Sequence, residues 1–408
     1  MPRFSKKANL VKELESVIQV RTLKAYLRFY LDAEDRFEDE LDYYLLMKLA
    51  LLKSQRYAFR SPYRTWNSSW ERMLYDGMYM TETEFLSNFR MDRACIHQLT
   101  ELIKDDEVFS KCWGKRDKRP VVLHIMVFLR YLGSYGNEAS LQKIGLAMGL
   151  SKGAVNDCVI RVSQAILKLQ KKVITWPNEE ERKQIGSRIK KAYGFVNCVG
   201  LIDGTLFPLA YAPTLNAEDY FTRKGNYAIK ALFVCDDKAR ITLVEMGWPG
   251  SVHDNRVWLN SDVYLAKEKY FSSKEYLLGD SAFSASMVMV PAFKKSPNAA
   301  LSEERKYFNT KLAKVRIKSE HCIGLVKARF QRVRELRRVI GSKRDLAVLL
   351  QMIMCACILH NLLIDHVFPE EWLEEQAETE DDDEVLEQNV TERANRRDQV
   401  FYYMMEMR

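Results

Sequence analysis

The sequence predicts an α/β fold: a mixed sheet flanked by helices, preceded by an all-α region with a helix-turn-helix. Three observations carry that prediction. Up to Pro177 the apolar residues recur at helical spacing. After Pro177 come short runs rich in β-branched and aromatic residues. The second and third runs have a hairpin-length link and the fourth follows a helix, which mixes antiparallel and parallel pairing in one sheet. A chain of 408 residues can bury one large core or two to three smaller ones.

Residues 10–55 read as one long helix, apolar-periodic and free of Gly and Pro. Ser61-Pro62 and Asn67-Ser-Ser69 break the pattern. A helix starts near Thr81-Glu-Thr-Glu-Phe85, with Thr81 or Thr83 as its cap. Another, strongly apolar, covers 121–132 after Pro120. Residues 141–160 read as helix, turn and helix, with Gly149 in the turn and Ser151 as the cap. An ordinary pair of packed helices has the same pattern, so contact with DNA stays open here.

Strands are expected at 194–202, 227–235, 240–246 and 275–278, with Asp236-Asp237-Lys238 as the turn between the second and third. Helices are expected at 251–261, 284–294, 307–338 and 345–366. This gives four regions: N-terminal helices (1–80), a helical domain with the helix-turn-helix (81–180), the sheet domain (181–366) and a tail (367–408). The tail opens acidic, with eleven Asp or Glu and no Lys or Arg over 370–387. That composition predicts a solvated, flexible or docking segment. Its end, 391–408, is basic and aromatic and reads as a short helix.

Net charge is +8, which favours a polyanionic partner. The excess is concentrated: residues 305–344 hold fourteen Lys or Arg against Glu320 and Glu335. Such density can neutralise several phosphates. Arg316, Lys327, Arg329, Arg332 and Arg334, with Lys152 of the helix-turn-helix, are therefore the candidate DNA contacts. Residues 332–344 also resemble a nuclear import signal, although too apolar to be only that. No apolar run reaches 18 residues, so no membrane span is expected, and the N-terminus has no secretory h-region. The eight cysteines form no CxxC pair, which predicts a reducing compartment. The six histidines show no HxxxH and no pairing with nearby cysteines, so no structural zinc site is expected.

Three acids stand where chemistry can be built. Asp203 ends Cys198-Val-Gly-Leu-Ile-Asp203, and Asp280 ends Tyr276-Leu-Leu-Gly-Asp280. On parallel neighbouring strands both would emerge at one sheet edge. Glu320 lies mid-helix in the basic stretch, one turn after Arg316. Convergent carboxylates are the ligands that Mg²⁺ needs beside a phosphodiester. Each acid also has a plain structural account: Asp203-Gly204 as a hairpin turn, Asp280 as an Asx turn, Glu320 as an i−4 partner of Arg316. Asp254 is an accessory candidate, able to position Arg256, although a helix start capped by Ser251 is the simpler account. His253 and His321 read as structural, and His360 as a satisfied core histidine.

The order Asp203-Gly-Thr205, Tyr220-Phe-Thr-Arg-Lys-Gly225 with Ala231-Leu-Phe-Val-Cys-Asp236, Gly250-Ser-Val-His-Asp254, Gly279-Asp-Ser-Ala-Phe283, Glu320 before Gly324-Leu-Val-Lys-Ala-Arg-Phe330, and Leu359-His-Asn361 resembles the PIF/Harbinger DDE transposases. The resemblance spans roughly 85–366. Phe283 stands where a tyrosine is common and Trp258 where Phe is common. The resemblance implies an RNase H-like core, with Asp203, Asp280 and Glu320 as a triad for two Mg²⁺ (or Mn²⁺) ions per active site. It implies excision of DNA at terminal inverted repeats and joining of the freed 3′ ends to target DNA. A Myb/SANT-like protein partner for DNA binding and nuclear import is implied too, with cytoplasmic retention in its absence. Joining two ends to one target requires a homodimer or higher assembly. Two rivals share the sequence: a domesticated, non-cleaving DNA or chromatin adaptor, and a metal-dependent nuclease without strand transfer.

Overall fold

The computed structural model describes residues 6–30, 36–55, 69–110, 119–294, 300–366, 368–369, 371–374 and 395–407. They fall into two compact units, residues 1–66 and 67–408. In the first, helices α1 (Lys6–Tyr30) and α2 (Arg36–Ser54) replace the single helix expected over 10–55. They run antiparallel: Lys53 Nζ is 2.8 Å from Glu15 Oε1, and Arg21 pairs with Asp42.

The second unit opens with helices α3 (Trp70–Tyr75), α4 (Glu82–Phe89), α5 (Arg93–Ile103), α6 (Glu107–Ser110) and α7 (Val121–Gly133). After them come α8 (Leu141–Ala147), α9 (Lys152–Leu167), α10 (Gln170–Val173) and α11 (Glu179–Tyr193). Thr81 starts α4 through a capping box with Glu84. Pro120 sits at the N-cap of α7, which is buried along nearly its whole length. Between α8 and α9 the chain turns at Gly149, whose φ of +65° is one that L side chains rarely adopt. Ser151 Oγ then accepts from the Ala154 N–H at 3.2 Å. The inner face of α9, with Val155, Cys158, Val162 and Ile166, is fully buried.

The sheet consists of β1 (Cys198–Pro208), β2 (Ala228–Cys235), β3 (Ile241–Pro249), β4 (Tyr276–Gly279) and β5 (Met289–Pro291). Its order is β3-β2-β1-β4-β5. The β1–β2 and β2–β3 pairs are antiparallel; β1–β4 and β4–β5 are parallel. A mixed sheet was expected, and its fifth strand was not: 284–294 was expected as a helix. Two other helical expectations shift. Ser251 Oγ donates to the Asp219 carbonyl (2.7 Å) and caps nothing, so the helix begins only after His253. The 251–261 stretch and its continuation hold α13 (Asp254–Leu259), α14 (Asp262–Leu265) and α15 (Lys267–Tyr270), after a short α12 (Ala217–Tyr220). Helix α16 (Glu303–Arg329) stops nine residues before 338, where buried Phe330 leaves helical geometry.

Residues of β1 divide between two cores, alternating from Leu201 onward, after an irregularity between Cys198 and Gly200 that shifts the register. Leu201 and Phe207 pack with Phe308, Leu312 and Val315 of α16. Val199 and Ile202 pack on the other side with Val257 and Trp258 of α13. The first core also takes in α5, α7 and α9, so the helical and sheet regions share one interior. Helix α17 (Lys343–Leu362) is long and apolar enough to cross a bilayer. It buries that surface in the same core instead. At its end Asn361 Nδ2 donates to the Ile241 carbonyl (2.7 Å), and Asn361 Oδ1 accepts from the Ile241 N–H (2.8 Å). His360 Nε2 donates to the Ala239 carbonyl (2.9 Å), so it is the satisfied core histidine expected. These bonds fix the β2–β3 turn. After α18 (Glu371–Glu374), residues 375–394 of the acidic tail lie outside the described residues. The final helix, α19 (Arg396–Glu406), is packed rather than free: the Phe401 ring centroid lies 5.2 Å from Phe293 and 5.9 Å from Phe308.

Candidate active site

Parallel pairing of β1 with β4 aligns Leu201 with Leu278. Asp203 and Asp280 each lie two residues further on, so both stand at the same edge. Asp203 is not at a strand end, however. β1 continues through it to Pro208, with Asp203 opposite Phe233 of β2. The Asp203-Gly204 hairpin turn is thus not formed. Asp280 follows β4 directly, and its Oδ1 accepts from the Ala282 N–H (2.8 Å), the Asx turn its neighbours suggest. Asp203 Oδ1 accepts from the Gly204 N–H at 3.0 Å. One oxygen of each aspartate is thereby fixed and Oδ2 is the other donor atom.

Glu320 arrives from α16. Arg316, one turn earlier, places Nη2 3.2 Å from Glu320 Oε1 and 3.9 Å from Asp203 Oδ1. The i−4 pair is real, and the same nitrogen spans two acids. Those two oxygens are therefore at most 7.1 Å apart, the sum of the two distances. Burial pushes the Asp203 carboxyl up to about 8, with Arg316 pulling it down and Asp280, Glu320 and Asp254 pushing it further up. Asp280 is raised for the same first reason, burial, against the pull of Arg316.

Asp254, at the start of α13, meets this edge from the opposite face. A Cβ on Gly204 would come within 2.3 Å of the Asp254 carboxylate, so only glycine lets the two elements approach. Lys230 Nζ of β2 lies 2.7 Å from Asp254 Oδ1, with both side chains nearly buried. Lys230 was missed in the sequence, although a single lysine inside the apolar run of β2 is the signal that could have found it. Asn255 Nδ2 donates to Ser284 Oγ (3.0 Å), and Asn255 Oδ1 accepts from the Ser284 N–H (2.9 Å), which ties α13 to the loop after Asp280. His253 is held below its usual range by burial and stands among Asp254, Lys230, Arg223 and Asp280.

The basic candidates divide. Lys152 and Arg256 are exposed; Lys327 is half-buried, with Nζ 5.6 Å from the Phe207 ring centroid. Arg334 lies 5.7 Å from the Tyr135 ring centroid. Arg332 is engaged in the fold: Nη1 donates to the Ala139 carbonyl (2.8 Å) and the guanidinium stacks on Tyr131. Arg329 is 4% exposed and cannot face a duplex. Burial lowers its pKa to about 10.

Comparison with known proteins agrees with this geometry. The DDE superfamily endonuclease family matches residues 202–361, which include all three acids. "Putative nuclease HARBI1" of Mus musculus is 29% identical over 247 residues, 58% of this chain and 66% of that protein, just under two thirds of its length. "Protein ALP1-like" of Arabidopsis thaliana is 25% identical over 318 residues, 74% of this chain and 75% of that protein. "Probable transposase for insertion sequence element IS702" of Microchaete diplosiphon is 23% identical over 244 residues, 59% of this chain and 82% of that protein. No solved structure matches. The five-stranded mixed sheet flanked by helices is consistent with an RNase H-like fold. Residues 202–361 match the DDE superfamily endonuclease family, and the chain is similar to the HARBI1 and ALP1-like relatives.

Proposed function

We propose that this chain is a DDE transposase that cleaves DNA at terminal inverted repeats and transfers the 3′ ends to target DNA. The observation that carries this reading is the bridge of Arg316 between Asp203 and Glu320 at the edge that Asp280 shares. The donor set fits two Mg²⁺ or Mn²⁺ ions held by Asp203, Asp280 and Glu320. Its oxygens are hard ligands, and Asp280 and Glu320 stand close enough to add to the effect of burial in raising the Asp203 carboxyl. Bound there, such ions activate the attacking oxygen and stabilise the leaving one.

The protein's own residues prepare that centre. Gly204 and Ala282 amides orient Asp203 and Asp280. The Lys230–Asp254 pair and the Asn255–Ser284 bonds brace the surrounding elements. Exposed Lys152 and Arg256, with Lys327 and Arg334 of the basic stretch, meet DNA phosphates, with α8–α9 as the helix-turn-helix. Such binding weakens steeply with salt. A homodimer or higher assembly, a Myb/SANT-like partner and nuclear action complete the proposal.

A second reading has specific support: relatives named for a nuclease or as ALP1-like point to cleavage without joining, or to domestication. Incubating the full chain and such a partner with repeat-ended DNA, a target plasmid and Mg²⁺ separates the three. Joined 3′ ends support the transposase; cleaved, unjoined ends support the nuclease. Salt-sensitive binding without cleavage supports the adaptor and overturns the proposal.

A further inference from the structure

Away from the catalytic acids, the start of α5 and the turn after α17 bring together a thiol and a carboxylate with an imidazole that lies far from them in the sequence. Cys95 Sγ is 3.2 Å from His366 Nδ1, across 271 residues of sequence. Cys95 Sγ is also 3.2 Å from Asp92 Oδ2, and His366 Nδ1 is 3.9 Å from the same oxygen. A triangle with these sides has a point about 2.0 Å from all three atoms, close to the lengths of Zn–N and Zn–O bonds and a little under Zn–S. The sequence shows Asp92 three residues before Cys95, but nothing in it brings the distant His366 to them.

The surroundings are those of a metal site. Asp92 is the N-cap of α5: its Oδ1 accepts from the Cys95 N–H (2.7 Å), which orients the carboxylate and leaves Oδ2 toward the thiol. Cys95 is buried, whereas the Asp92 and His366 side chains are 34% and 35% exposed, so an ion has an entry path and room for a further ligand. The charge of buried Arg329 acts on both Cys95 and Asp92; it favours the ionised thiolate that a metal needs, and it opposes the ion itself. Sulfur, nitrogen and oxygen together suit zinc better than magnesium.

We propose that Asp92, Cys95 and His366 form a zinc site with three protein ligands and an open fourth position, which ties the turn after α17 to the start of α5. It lies at the junction between α17 and the tail. The site needs none of the catalytic acids and is independent of the proposed reaction.

The test uses the full chain with Asp203→Asn, Asp280→Asn and Glu320→Gln, so that the catalytic acids do not hold metal. After chelation, zinc is added and its retention measured; in parallel, cobalt is added and its absorption recorded. The expected result is an equivalent of zinc per chain, a higher melting temperature with zinc, and a thiolate-to-cobalt charge-transfer band. Cys95→Ala should abolish the band. His366→Gln, a half-exposed change that folding tolerates, should weaken zinc binding by at least about a hundredfold. Absence of the band in the starting chain, its survival in Cys95→Ala, or unchanged affinity in folded His366→Gln overturns the proposal. If Cys95→Ala does not fold, the starting chain and His366→Gln still decide it.

Discussion

Arg316 Nη2 lies 3.9 Å from Asp203 Oδ1, so the cation that faces the most buried acid of the site comes from the helix that also carries Glu320. A divalent ion among these acids would share their charge with that guanidinium. Arg316→Gln is therefore expected to tighten Mn²⁺ binding on the order of tenfold, the effect of removing about 1.4 kcal/mol of like-charge repulsion. Calorimetric titration measures it; unchanged or weaker binding would show that Arg316 supports the metal instead of opposing it.

Gly204 has no room for a side chain against Asp254. Gly204→Ala should lower stability by about 1–3 kcal/mol, the usual cost of overpacking. Urea denaturation gives the value. Adding Asp254→Ala should recover part of the loss, because the clashing atoms are then gone; strict additivity would place the strain elsewhere.

His124 is buried against Phe109, and burial lowers its pKa to about 4. The folded pKa lies below the unfolded one, so the unfolded state binds more protons between about 4 and 6.5. Its contribution is complete above pH 6.5 and is lost as pH falls toward 4. The loss is on the order of 3 kcal/mol at most. His124→Phe should flatten the melting temperature across that window, and an unchanged acid slope would assign it to other groups.

Much of this fold was legible because β1, β2, β3 and β4 are apolar runs whose period announces them. The three-residue β5 is too short to show a period, and it lies among Met and Val residues that suit a helix equally. The three candidate acids were legible in order, but Asp203-Gly204 reads as a turn because only the neighbouring Asp254 explains the glycine. Arg329 was misjudged for a different reason: its sequence neighbours are basic, and only tertiary packing buries it. The Cys95–His366 contact is invisible to spacing, since folding alone brings those residues together.

Salt offers a separate check on the DNA face. Lys152→Glu should weaken binding to duplex DNA and reduce the salt slope by about one unit. Arg329→Lys should leave that slope unchanged, since residue 329 is buried. Fluorescence anisotropy across a salt series reads both; an unchanged slope for Lys152→Glu would make α8–α9 a plain packing pair.

Cleavage of repeat-ended DNA by the wild-type chain, Asp203→Ala, Asp280→Ala and Glu320→Ala, each verified as folded, tests the convergence of the three acids most directly. Each substitution should lower the cleavage rate about a hundredfold or more, with DNA affinity retained. Equal cleavage by all four proteins would contradict a shared catalytic site.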